Sequence, residues 1–138
     1  MQLIEPERKI ATLTACHVAL ACSGTVTYEL AALGIPMLIL YKTHWLTYRI
    51  AKSLLKVRFI GLPNLIENTA IIPELIQHDC DPERIAKALG ELMQPGSLAY
   101  ARQKEKLIHL QTHMQSHHGT LPIDQVVQAL LGERHTRA

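Results

Sequence analysis

The sequence predicts an α/β fold: a partial doubly wound parallel sheet of about three strands, followed by C-terminal helices. Three observations point there. Two near-continuous apolar runs, "VALAC" at 18–22 and "PMLILY" at 36–41, suit strands covered on both faces, as parallel strands are. A stretch with helix start and stop signals lies between them. Strand–helix alternation of this kind is how a parallel sheet is written in sequence.

Taken in order, residues 6–15 read as a short helix and 18–22 as the first strand. A helix runs from Thr25 to about Leu33, stopped by Gly34 with Pro36 just beyond. Residues 36–41 are the second strand. From Thr43 to Val57 a helix places Arg49, Lys52 and Lys56 on one side and Ile50, Leu54 and Val57 on the other. "RFIGLP" at 58–63 reads as the third strand, and "IIPELIQHD" at 71–79 as a short helix. "DPERIAKALGELM" opens with an Asp cap and Pro at the first helical position. Residues 97–117 form a long polar helix and 122–131 a short last one. The chain is one partial domain over 1–138: a strand and helix core over 1–96, then helices over 97–138. A three-strand sheet has two edges, and 18–22 is very apolar for an exposed one. A full nucleotide-binding domain of this class carries about six strands, so the chain reads like the second half of one.

Composition narrows the function. With 138 residues and 48% hydrophobic content, the chain can bury roughly two thirds of its unfolded surface in one core. A net charge of +2 and 4% aromatic residues argue against nucleic acid as partner. Cys16, Cys22 and Cys80 show no C-x-x-C spacing, which favours a reducing cytoplasm. Cys16 and Cys22 flank the first strand and are expected as buried, inert thiols. No apolar run reaches the roughly 18–20 residues that span a bilayer.

The chemistry concentrates at Ser23-Gly24-Thr25, between the first strand and the helix after it. Gly24 lets the backbone approach a ligand, Ser23 and Thr25 offer hydroxyls, and the positive helix end points at the same spot. A diphosphate fits. Glu29, four residues after Thr25, shares that helix face and can accept hydrogen bonds from sugar hydroxyls. The plainer reading is that the hydroxyls cap the helix and Glu29 favours its first turns.

The residues after the turn favour the diphosphate reading. The string from Ser23 to Pro36, "YK" at 41–42, "LTYRIAKSLLKVRFIGLPNLI" at 46–66 and "IIPELIQHDCDPERIAKAL" at 71–89 stand in this order. Together they resemble the C-terminal half of the C-terminal domain of lipid-A-disaccharide synthases, bacterial glycosyltransferases built from two Rossmann-like domains. The resemblance runs from about residue 10 to 130, and "LPNL" with "PELIQ" after it is its most specific part. It implies transfer of a sugar from UDP-2,3-diacylglucosamine to 2,3-diacylglucosamine 1-phosphate, giving a β-1,6-linked disaccharide and UDP. Carried over by position, it implies that Ser23, Gly24 and Thr25 face the diphosphate and Glu29 the ribose. Asn64 is then placed at the cleft between domains, with Tyr41 and Lys42 on the same rim. The resemblance implies no metal or other cofactor. The acidic catalytic base belongs to the missing N-terminal portion, so this chain carries no catalytic residue and is expected to be inactive alone. Two departures bear on specificity: Lys42 stands where the family more often has Arg, and Glu67-Asn68-Thr69-Ala70 replaces a common Gly-basic pair.

Two further patterns lie outside the turn. His109, His113 and His117 recur every four residues, with His118 adjacent; without a Cys or carboxylate to complete a set they read as a solvated helix face. Trp45, Arg49, Lys52 and Lys56 form a candidate membrane-facing surface, because the implied substrates are acylated and anionic. The implied setting is the bacterial cytoplasm, peripheral on the inner membrane, with self-association expected through an exposed sheet edge at 18–22. Alternatives are another nucleotide-sugar enzyme, such as a MurG-like transferase or a UDP-sugar epimerase, or a non-catalytic scaffold module.

Overall fold

The computed structural model describes Glu5 and residues 8–22, 24–44 and 58–116. In chain order these form α1 (Lys9–Thr14), β1 (Ala19–Cys22), α2 (Thr25–Ala32), β2 (Met37–Tyr41), α3 (Leu62–Ile66), β3 (Glu74–Ile76), a 3-10 turn (Gln77–Asp79), α4 (Pro82–Leu92) and α5 (Leu98–Ser116). The three strands are parallel, in the order β1-β2-β3. Ala19 lies opposite Met37 and Cys22 opposite Leu40, while Ile39 faces Glu74 and Tyr41 faces Ile76. This is the partial Rossmann-like α/β arrangement that the strand pattern predicts.

Most boundaries obey local chemistry. Helix α2 ends in a Schellman motif: the N–H of Gly34 donates to Ala31 O (2.9 Å) and that of Ile35 to Leu30 O (3.0 Å). Gly34 carries the positive φ, 66°, that this ending requires. Asp81 caps α4, its carboxylate accepting from the N–H groups of Glu83 and Arg84 at 3.2 and 3.3 Å, with Pro82 in the first turn.

Residues 58–79 reverse the expected assignment. Arg58 to Gly61 run irregularly and Leu62–Ile66 is helical, whereas the third strand lies at Glu74–Ile76, inside the expected helix. Gly61 and Pro63 suit a helix start, and the N–H groups of Ile60 and Gly61 donate to the Glu74 carboxylate (both 2.9 Å) instead of a ladder. Pro73 needs no donor at a strand entrance and accepts from Ile39 N–H at 3.0 Å.

The core lies between the sheet and helices α2 and α5. Leu30, Ala31, Ile35, Met37, Ile39, Ile71, Ile72, Leu107 and Leu110 are buried there. Helix α5 also grips main chain. Gln103, 3% exposed, donates to Met37 O and accepts from Met37 N–H, both at 2.9 Å. Lys104 donates to Gly34 O (2.8 Å), Gln111 to Ala32 O (2.7 Å) and Lys106 to Ala70 O (2.7 Å).

Among the described strands β1 is an edge despite its apolar sequence. Ala21 is buried, but Leu20, on the alternate face, is 51% exposed. Cys22 shares that uncovered face and is exposed, and Cys16, just past the end of α1, is exposed too. The expectation of two buried thiols is thereby corrected: an edge strand shields only the side packed on the core. The helix expected over 43–57, with Trp45, Arg49, Lys52 and Lys56, falls on residues 45–57 and lies outside the described residues. So does the helix expected at 122–131. No helix among the described residues is long and apolar enough to cross a membrane.

Candidate functional site

Parallel strands bring their carboxyl ends to one rim, and each strand there hands its chain to a turn or helix. Here the rim is formed by the end of β1 and the start of α2, the end of β2 with Lys42 and Thr43, and the 3-10 turn after β3. The register sets Cys22 beside Leu40 and Tyr41 beside Ile76. Strands lie roughly 5 Å apart, so the first turn of α2 adjoins the Tyr41-Lys42 segment.

Gly24 is the N-cap of α2, with φ 140° and ψ −170°. A side chain there would meet nothing within 4 Å, so backbone conformation rather than crowding calls for glycine. Thr27 is fully buried and ties the turn down: its N–H and its hydroxyl donate to Gly24 O, at 3.1 and 2.7 Å. Thr25 is exposed at the first helical position. The start of α2 carries the unpaired backbone N–H groups of a first helical turn and the positive dipole end, features suited to an anion. Ser23 lies outside the described residues.

Glu29 projects from the same helix, about half exposed, in an ion pair with Lys9 of α1 at 2.5 Å. Tyr41 is half-buried and Lys42 exposed on the neighbouring strand end. Tyr28, also on α2, has its phenol pushed above the ordinary value of 10.0 by burial. The structure thus brings Gly24, Thr25, Tyr41 and Lys42 to one rim, with Glu29 one turn along α2.

Asn64 departs from its expected place in a cleft. It is fully buried, and its amide is saturated within the chain. Nδ2 donates to Ile72 O and to Glu74 Oε1, both at 2.7 Å, and Oδ1 accepts from the N–H groups of Ile71 and Ile72, both at 2.8 Å. Glu74 meanwhile binds the N–H groups of Ile60 and Gly61. Asn64 thus closes a network that joins α3, the loop before it and β3. Close packing at Gly61 belongs to the same unit, since a Cβ there would come within 2.4 Å of the Ile39 side chain.

Two rim residues escape a reading of the sequence. Gln77, in the left-handed region at φ 56°, accepts from Thr43 N–H (2.8 Å) and donates to Thr43 O (3.0 Å). The Cys80 thiol donates to Leu75 O at 2.9 Å and reaches Tyr41 O at 3.5 Å. A polar Gln closing the apolar "ELI" run was the one available signal. Of the histidines, His113 contacts Glu67 at 3.3 Å. No group of three metal-ligating side chains forms among the described residues.

Comparison with known proteins places relatives beside the chain. Residues 1–122 match the family described as lipid-A-disaccharide synthetase. The chain is 36% identical to the lipid-A-disaccharide synthase of Geobacter sulfurreducens over 110 residues, which are 75% of this chain and 29% of that protein. It is 41% identical to the Neisseria meningitidis enzyme over 101 residues (70% and 26%), and 46% identical to that of Ruegeria pomeroyi over 83 (60% and 21%). It therefore spans less than a third of the length of these relatives. With a family match over residues 1–122 and relatives 36–46% identical to it, the chain belongs to the lipid-A-disaccharide synthetase family.

Proposed function

We propose that this chain is the C-terminal UDP-sugar-binding portion of a lipid-A-disaccharide synthase. The transferase moves 2,3-diacylglucosamine from UDP-2,3-diacylglucosamine to 2,3-diacylglucosamine 1-phosphate. In that reaction the bond between the sugar and the diphosphate breaks, and UDP leaves with the electron pair. The acceptor hydroxyl attacks the sugar and gives its proton to a base. This chain takes the leaving-group side. Ser23, Gly24 and Thr25 receive the diphosphate at the positive end of α2, Lys42 adds charge from the next strand, and Glu29 accepts from the ribose hydroxyls after parting from Lys9. Such fixed donors stabilise charge developing on the leaving oxygen without a metal. The base and the acceptor site belong to the rest of the transferase, so the chain alone does not catalyse transfer. Trp45, Arg49, Lys52 and Lys56 meet the inner-membrane surface, where acylated substrates reside.

The observation that carries this reading is the positive-φ Gly24 at the start of α2, on the carboxyl rim of a parallel sheet, in a chain that matches the family over residues 1–122. Calorimetric titration of UDP into the chain tests it. Saturable binding is expected, and a Ser23→Ala/Glu29→Ala variant should lose it. Failure of the folded parent chain to bind UDP would leave a scaffold module as the better reading.

A further inference from the structure

We propose that Gln77 is a positioning residue of this rim: through Thr43 it holds Lys42 in place for the diphosphate. The inference rests on the UDP-binding reading and goes further, because it assigns a role to a residue that has no direct place in the anion site. Three observations converge on Lys42. The last ladder pair between β2 and β3 is Tyr41 with Ile76, after which a parallel ladder alone would leave Lys42 at a fraying strand end. Instead, the Gln77 amide takes both backbone groups of Thr43, at 2.8 and 3.0 Å, one residue beyond Lys42. On the other side of Lys42, Tyr41 O receives the Cys80 thiol at 3.5 Å.

The backbone on either side of Lys42 is thus tied to one short segment, residues 77–80, while the lysine itself is exposed. Gln77 adopts φ 56°, a conformation that a non-glycine residue avoids unless its surroundings impose it. A side chain that only filled space would not need this backbone conformation. An amide that must reach back to Thr43 from the first residue of a tight turn gives a reason for it. Fixing the Lys42 backbone lowers the ordering cost that an anion meets on binding.

Coupling between the two residues tests the assignment. UDP is titrated calorimetrically into the full chain, into Lys42→Ala, into Gln77→Met and into the double variant, with a thermal midpoint recorded for each. Gln77→Met keeps the side-chain length but deletes both hydrogen bonds; Gln77→Asn, which tolerates the positive φ but falls one methylene short, serves as a second variant. Gln77→Met should weaken UDP binding roughly fivefold and Lys42→Ala roughly tenfold, whereas the double variant should bind no more weakly than Lys42→Ala alone. Multiplying losses in the double variant, or parent-like affinity in Gln77→Met, would overturn the positioning role and leave the UDP site standing. Unfolding of both Gln77 variants would also overturn it, making the residue a structural tie. Absence of UDP binding by the parent chain would remove the site and the positioning role together.

Discussion

Replacing Asn64 should cost this fold more than any surface change, because its amide serves four buried or half-buried groups at once. In Asn64→Ala the N–H of Ile72, 1% exposed, loses its acceptor, whereas that of Ile71 keeps Thr69 O at 2.9 Å. A buried donor left unsatisfied costs about 1–3 kcal/mol, so Ile72 alone costs about 2 kcal/mol. Ile72 O and the Glu74 carboxylate also lose a donor, which pushes the loss upward. Against a typical domain stability of about 5–15 kcal/mol, the loss is a large fraction of the total. Urea unfolding monitored by circular dichroism gives the loss directly. Asn64→Asp sharpens the test, because it keeps the acceptor for both N–H groups but puts an oxygen where Nδ2 donated. Two carboxyls then face each other, and the folded state holds a proton that the unfolded chain releases near the ordinary carboxylate range of about 4. The new carboxyl's folded value lies above its unfolded one. Stability is therefore present at low pH and lost as pH rises through the raised value, so Asn64→Asp should recover toward pH 4 whereas Asn64→Ala should not. A loss below about 1 kcal/mol in Asn64→Ala, accompanied by weaker UDP binding, would refute the network argument and restore Asn64 as a ligand contact.

Other expectations rest on single features. Gly34→Ala should lower stability by about 1 kcal/mol, since φ is 66° and the new Cβ would lie 3.0 Å from Gln111 Nε2; a urea midpoint equal to the parent's would refute this. The raised Tyr28 phenol keeps its proton where the unfolded chain releases one. Its contribution is full below about pH 10 and falls as pH rises past that value. Stability measured from pH 9 to 11.5 should therefore decline less steeply in Tyr28→Phe than in the parent. Exposure of Leu20 on an edge strand predicts concentration-dependent self-association that Leu20→Lys reduces without changing the circular dichroism spectrum; sedimentation showing a monomeric parent at high concentration would contradict it.

Strands β1 and β2 and helix α2 were legible because their signals are local: unbroken apolar runs, and a Gly at the helix end whose φ only glycine adopts easily. The Asp81 cap belongs to the same class. Residues 58–79 were not legible because their structure is decided at a distance. Strand β3 is three residues long, too short for a period of two to show, and its pairing partner is β2. The helix at Leu62–Ile66 forms where side chains of Asn64 and Glu74, ten positions apart, satisfy the backbone that a strand would have paired. At the site, Gly24, Thr25 and Lys42 could be read from residue type and position along βαβ. Gln77 and Cys80 could not, since only the register of β2 on β3 brings them to the rim.

The way α5 holds the molecule together has a consequence for how such a chain can change over generations. Gln103, Lys104 and Gln111 bind carbonyls and an N–H of the α2–β2 connection, not its side chains. A mutation in that connection is invisible to these polar anchors as long as the main chain keeps its path. Side chains there answer to a different constraint, the core: Gly34, Ile35 and Pro36 are buried and Leu33 packs against it. Helix α5 carries the opposite burden, for each of its three polar anchors is fixed by a backbone atom that no substitution can move to meet it. Variation between descendants of this chain should therefore be limited to core-compatible exchanges in the connection and should spare the polar anchors of the helix that reads it.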